Sequence, residues 1–203
     1  MKKIAIVMLL VMLGGINVLF AQSKGDKCIS YLFGIEVTKH SEKVGSTTNE
    51  GKPYVKMEFH PGFHYFLADN FRVGAQMTLR RESQKYDSDG KYIKGTFLAG
   101  ASTAYYMMLA EKYYFTPEIG LYYAHTKIKD KSGNTTTESK ANGFMLQMLP
   151  IMVEFRPTEH YGFSASIIAI EYSVLKAKDA DLKGKDFAFA FNISPRIGMR
   201  YYF

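Results

Sequence analysis

The last seventeen residues, Phe187 to Phe203, read FAFAFNISPRIGMRYYF and alternate in character without a break. Phe187, Phe189, Phe191, Ile193, Pro195, Ile197, Met199, Tyr201 and Phe203 share one parity, while Asn192, Ser194, Arg196 and Arg200 fall on the other. Side chains on a strand point alternately to opposite sides, so the pattern predicts one wholly apolar face and one polar, cationic face. At about 3.3 Å per residue such a strand is on the order of 55 Å long, enough to cross a bilayer at a steep tilt. A sandwich strand rarely runs so long. The segment reads as the closing strand of a transmembrane β-barrel.

The other end of the chain agrees. Lys2 and Lys3 precede an apolar run from Ile4 to Phe20, followed by Ala21-Gln22 and the polar stretch Ser23 to Lys27. A basic start, an apolar core and a small residue before a polar segment predict a secretory signal peptide, residues 1–21, cleaved after Ala21. The rival is a spanning helix, but the run is short, contains Gly14-Gly15 and lacks a positive cluster on its far side. Cys28 is separated from the apolar core by Gly25-Asp26-Lys27, which argues against a lipoprotein anchor. Residues 22–203 then form one domain by length. Loss of Lys2 and Lys3 lowers the formal charge from +7 to +5.

Between these ends, alternating stretches recur, separated by turn-rich or charged segments. The expected strands are 29–38, 54–67, 71–81, 93–108, 113–129, 143–156, 161–175 and 187–203. The fourth is rich in Gly and Ala, and its parity is unclear. In the sixth, Phe144, Leu146 and Met148 share one parity and Ile151, Val153 and Phe155 the other; a bulge at Pro150 reconciles them and turns Glu154 inward. The connections alternate long and short. Polar loops are expected at Lys39–Lys52, Glu82–Tyr92, Asp130–Asn142 and Lys176–Asp186, and short turns at Ala68–Asn70, Leu109–Lys112 and Pro157–His160. That rhythm, with an even strand number, matches barrels with short periplasmic turns and longer outside loops. Tyr and Phe, 15 of each, suit the aromatic girdles of such a barrel.

With these features the chain resembles the small outer-membrane β-barrels of Gram-negative bacteria, the porin-like group that includes the membrane domain of outer membrane protein A. The resemblance covers nearly all of residues 28–203. Its most specific part is the closing strand, where Tyr201 and the final Phe203 look like the C-terminal signal read by the barrel-assembly machinery. The segments Phe59-His60-Pro61-Gly62-Phe63-His64-Tyr65-Phe66 and Thr116-Pro117-Glu118-Ile119-Gly120-Leu121-Tyr122-Tyr123 also resemble recurrent strand patterns of the group. The expected fold is an all-β, eight-stranded, antiparallel, up-and-down barrel, placed in the outer membrane after export. The resemblance implies location far better than activity.

Turning the apolar parity to lipid places Lys56, Glu58, His60, His64, Arg72, Gln76, Arg80, Glu118, Asn192, Arg196 and Arg200 in the lumen. Eight strands leave an interior that side chains fill. Buried charges need partners, so Glu58 and Glu118 are expected to pair with some of Arg72, Arg80, Arg196 and Arg200. A polar plug is the simple reading; a gate that opens a narrow path by rearranging the pairs is the other.

No coherent catalytic site emerges. His125, with Thr126 and Asp130 close in sequence, has the parity of lipid-facing Leu121 and Tyr123. His60 and His64 share a strand face but lie roughly 13 Å apart, too far for one metal ion. One cysteine excludes an internal disulfide, and no zinc-type spacing, phosphate loop or nucleic-acid motif is present. Asp87-Ser88-Asp89-Gly90 lacks the bidentate Glu of a calcium loop and reads as a turn. No cofactor is expected. The scattered lysines suit a solvated rim facing anionic lipid head groups. The expected role is an envelope scaffold or surface-interaction protein, with outer-membrane lipid, the assembly machinery and an outside partner at the four loops as its contacts. The alternatives are a narrow porin for small solutes and a secreted lipocalin-like binder of a hydrophobic ligand.

Overall fold

A computed structural model describes residues 23–38, 41–44, 47–50, 52–86, 90–177 and 185–203, with side chains described for all of these except 41–44, 47–50 and 185–194. The expected signal peptide, residues 1–21, lies outside the described residues, as does the turn at 87–89. The strands, in order, are β1 Lys27–Thr38, β2 Ser41–Val44, β3 Thr47–Glu50, β4 Tyr54–Ala68, β5 Phe71–Lys85 and β6 Lys91–Tyr105. They continue as β7 Met107–Ala110, β8 Tyr113–Phe115, β9 Glu118–Ser132, β10 Thr135–Phe155, β11 Tyr161–Ala177 and β12 Lys185–Tyr202.

Eight of these close a ring in which every pairing is antiparallel: β1, β4, β5, β6, β9, β10, β11, β12 and back to β1. The closing seam pairs Cys28 with Tyr202 and runs to Gly34 opposite Arg196. Beyond it, the amide of Phe203 donates to the Lys27 carbonyl and the Lys27 amide donates back to Phe203, both at 3.0 Å. Both chain ends of the barrel therefore sit at the rim that carries the short turns.

Several boundaries differ from the sequence expectation. The stretch 130–142 is not a polar loop: β9 and β10 continue as a hairpin to Ser132 and Thr135, turning through Gly133-Asn134 with Gly133 at φ +55°. The 82–92 and 176–186 segments are likewise mostly strand, since β5 and β6 pair out to Lys85 and Lys91 and β11 and β12 pair out to Lys176 and Lys185. Within 39–52, expected as a polar loop, β2 pairs with β3 in a small hairpin. At the opposite rim the fourth stave breaks at Tyr106, and β7 turns back onto β8 through Glu111-Lys112. Lys112, at φ +68°, and Asn70, at φ +63°, take the left-handed conformation that these tight turns require.

The alternation is also interrupted more than expected. The β10–β11 register shifts between Met148 and Met152, at the Pro150 site. A second shift lies between Ser166 and Ile168 in β11, opposite the Ser194-Pro195 segment of β12, so the closing strand does not pair evenly along its length. Ile167 and Ile168 are where β11 changes parity: Ser164 and Ser166 are buried below the shift, Ala169 and Glu171 above it.

Candidate functional site

The interior is polar and the exterior apolar, the reverse of a water-soluble barrel. Facing outward are Tyr31, Phe33 and Ile35 on β1, Phe59 and Phe63 on β4, Leu79 on β5 and Ile197 on β12, the last two 54% and 68% exposed. Across the middle of the described staves this outer face carries no Asp, Glu, Lys or Arg. Tyr65, Tyr105, Tyr113, Tyr161, Tyr201 and Phe203 ring the short-turn rim, each substantially exposed. Such a belt would be strongly unfavourable in water and suits hydrocarbon bounded by an aromatic girdle. The chain is a membrane-spanning β-barrel.

The inward face is built by the opposite parity. Lys56, Glu58, His60 and His64 come from β4, Arg72, Gln76 and Arg80 from β5, Glu118 from β9, and Arg196 and Arg200 from β12. All ten are buried. Asn192 lies among the residues whose side chains are not described; its backbone pairs with Ala169. Glu58, 1% exposed, is the hub of the outer half. It meets Arg80 Nε at 2.5 Å, Arg196 Nε and Nη2 at 2.7 Å, and Lys56 Nζ at 3.2 Å. Glu171 shares both arginines: Arg80 donates two hydrogen bonds to it, at 2.9 and 2.5 Å, and Arg196 Nη2 lies at 3.4 Å. Gln147 completes that carboxylate at 2.7 Å.

A second network occupies the half nearer the short turns. Arg72 donates to Glu118 at 2.5 Å, and Arg200 donates to Glu154 and to the Tyr106 hydroxyl, the latter at 3.1 Å. The Tyr202 hydroxyl donates to Glu154 at 2.5 Å. Phe66, Tyr106, Tyr114 and Tyr202 pack with Cys28 beneath this network, and the Arg156 guanidinium lies 4.0 Å from the Tyr202 ring centroid. The rim is thereby stoppered by aromatic rings. Between the two networks Leu32, Leu149, Met152 and Ala169 form an apolar cluster.

Among the described residues the buried charges balance: Lys56, Arg72, Arg80, Arg196 and Arg200 against Glu58, Glu82, Glu118, Glu154 and Glu171. Burying charge is costly unless each group is paired, and here every carboxylate has a cationic partner within 4 Å. Glu58 and Glu118 pair with the arginines named from sequence. Glu171 had no advance signal, because its parity depends on the shift at Ile167-Ile168. Phe66 and Tyr122 take the inward parity of their strands and Tyr106 ends the stretch whose parity the sequence left unclear; all three are buried aromatics that were not named for the lumen. Tyr122 donates to Gln76.

The histidines have ordinary structural partners. His60 lies 2.8 Å from the Thr78 hydroxyl and 3.3 Å from Glu58, and His64 lies 2.8 Å from the Ser30 hydroxyl. Gly74, directly opposite His64 in the register, leaves the space that ring occupies; a Cβ there would fall within contact of His64 Nδ1. His125 is half-buried beside Asn142, with ring nitrogen to amide oxygen at 2.6 Å, and its register partner on β6 is outward-facing Phe97. Among the described residues no group of His, Cys, Asp and Glu is arranged to hold a metal ion.

At the outer mouth a cavity of about 290 Å³ opens over the upper network, walled by Tyr54, Lys56, Glu82, Lys94, Thr96 and Ser173. The Tyr54 hydroxyl donates to Glu82 at 2.8 Å, and Lys94 holds the same carboxylate at 3.2 Å. Arg80 and Glu171 also line it, so the cavity ends on the paired charges below.

No family model matches this chain, and neither does any curated protein at a significant level. Among solved structures it is similar to Ail, the attachment invasion locus protein of Yersinia pestis, at 14% identity over 89% of this chain and 99% of that one, with a TM-score of 0.49. It is similar also to the outer membrane protein OprG from Pseudomonas aeruginosa, at 17% identity over 92% and 99% with a TM-score of 0.45. For the Escherichia coli outer membrane protein W the values are 12% identity, 90% and 100% coverage, and a TM-score of 0.44.

Proposed function

We propose that this protein is an integral outer-membrane barrel, exported by a signal peptide at residues 1–21, that acts as an envelope scaffold or surface-interaction protein rather than as a pore or an enzyme. The balanced, fully buried charge of the lumen carries this reading. A conduit needs water along its axis, whereas this interior is occupied by interlocked ion pairs, an apolar cluster and an aromatic stopper. The lipocalin alternative requires an apolar interior and a charged exterior, which is opposite to the observed distribution. What remains for recognition is the outer end, where the staves rise beyond the apolar belt as polar hairpins; rigid scaffolds usually place binding on such projections. Tyr201 and Phe203 serve as the assembly signal in this account.

Fractionation tests the placement. Detergent is expected to be needed to extract the protein from the outer-membrane fraction, and protease added to intact cells is expected to cut within the 39–52, 82–92 or 176–186 segments and not at 68–70 or 157–160. A soluble periplasmic product, or cleavage at the short turns of intact cells, would contradict it.

A further inference from the structure

The cavity at the outer mouth has two unlike walls. On one, four adjacent staves set charge in a single row. Glu36 on β1 is opposite Lys56 on β4, Lys56 is opposite Glu82 on β5, and Glu82 is opposite Lys94 on β6. The sign therefore alternates stave by stave, at the strand spacing of about 4.8 Å. The row ends at β9, where Ile128 is the register partner of Lys94. Across the ring, β10 supplies Met145 and β11 supplies Ser173 and Leu175. Met145 and Leu175 belong to an apolar cluster with Leu98, Tyr122 and Ala124.

The described lining carries three carboxylates, Glu36, Glu82 and Glu171, and three cations, Lys56, Arg80 and Lys94, so its charge balances. These six are already paired: Lys94 with Glu82 at 3.2 Å, Lys56 with Glu36 at 3.7 Å, and Arg80 with Glu171 at 2.5 Å. A charged ligand would have to break one of these pairs and leave a partner uncompensated. A hydroxyl group would not. An ammonium has three N–H donors and a carboxylate about four lone-pair sites, so both keep capacity beyond one ion pair. Lys94 and Glu36, with side chains 28% and 27% exposed, turn that capacity to the cavity. Ser173 Oγ has no hydrogen-bond partner among the described residues. Thr96 and Thr126 lie 3.2 Å apart, and their mutual bond uses only one of two hydroxyl protons.

One wall thus presents acceptors and donors by turns, suited to a group that is both, and the other presents apolar surface. A pyranose has the matching pair of faces. Its hydroxyls each donate and accept, and its ring C–H groups form an apolar side. The cavity, about 290 Å³, stands at the lower end of the roughly 300–1,000 Å³ of small-molecule sites, which suits one sugar ring better than a chain. It ends blind on the paired Arg80 and Glu171, so a ligand is held there rather than passed.

We infer that the outer mouth binds a neutral pyranose, free or as the end residue of a glycan. Its hydroxyls meet the row Glu36, Lys56, Glu82 and Lys94, and its C–H side meets Met145 and Leu175. This deepens the surface-interaction reading above and rests on it.

The test uses the protein in phosphatidylcholine nanodiscs, its folded state verified by the heat-dependent gel shift. Saturation-transfer NMR is recorded with methyl glucopyranoside, methyl galactopyranoside, methyl mannopyranoside, gluconate and alanine. Saturation of the ring C–H protons of at least one methyl pyranoside, and of neither gluconate nor alanine, is expected. The matching trisaccharide separates the sources: tighter binding than the methyl pyranoside assigns the site to a chain end, and equal or weaker binding to the free sugar. Lys94→Met leaves Glu82 its bond from Tyr54 and is expected to weaken binding about tenfold, the loss of one hydrogen bond to a charged group. Ser173→Leu fills the cavity from its neutral wall without touching an ion pair and is expected to abolish the saturation. A folded barrel that saturates no pyranoside, that saturates gluconate or alanine equally, or that binds undiminished as either variant would overturn the inference and leave the barrel reading standing. A chain that gives no heat-modifiable barrel would overturn both.

Discussion

Glu58→Ala is expected to cost about 3–5 kcal/mol of stability, because removing one partner leaves buried charges uncompensated. Glu58 is the shared acceptor of Arg80, Arg196 and Lys56, and both arginines are enclosed in the lumen. Glu171 still binds both after the change, so those arginines retain one carboxylate where they had two. Urea unfolding of the detergent-folded protein, followed by the heat-dependent shift on gels, measures the loss. Combining Glu58→Ala with Arg196→Met removes one charge of each sign and is expected to recover part of the loss. A fall of less than about 1 kcal/mol in the single variant, the scale of an exposed ion pair, would mean that water reaches the lumen.

Removal of Phe203 is expected to abolish most membrane-embedded, heat-modifiable protein while export continues. The residue makes the final two-way backbone pair with Lys27, at 3.0 Å in both directions, and its ring stacks on Tyr201 with centroids 5.9 Å apart and meets Phe63 at 6.4 Å. It thus closes the first stave on the last at the rim where the barrel is sealed. Phe203→Ala keeps the backbone pair and loses only the ring contacts, so a milder defect is expected. Comparing processed, periplasmic and outer-membrane pools of both variants separates export from insertion; normal insertion of the truncated chain would remove Phe203 from the assembly role.

The parity of β4, β5 and β12 near its end was legible because a lipid-facing surface admits no charge, so each inward Lys, Glu or Arg marks a face. Reading failed in two physical situations. Beyond the membrane both faces of a strand are solvated, and the Thr-, Ser- and Lys-rich run 127–140 has no apolar contrast to betray its period; only the Gly133-Asn134 turn hints at a hairpin. Inside the barrel, irregularities shift parity where composition is uniformly apolar. Pro150 announced one of them, but Ile167-Ile168 carries no such mark, and Glu171 was hidden behind it. The fourth stave, rich in Gly and Ala, resolved only through register, which turns Thr96, Leu98, Ser102 and Ala104 inward.

Ion conduction tests the closed-lumen account most directly. The protein is incorporated into planar bilayers from proteoliposomes in which its folded state and amount have been verified on gels. Recording across a range of voltages and at neutral pH is expected to show no unitary current steps above the lipid baseline. Stable unitary currents whose amplitude or ion selectivity changes on substituting Glu58, Arg80 or Arg196 would contradict it, since ions would then be passing through the space those side chains fill.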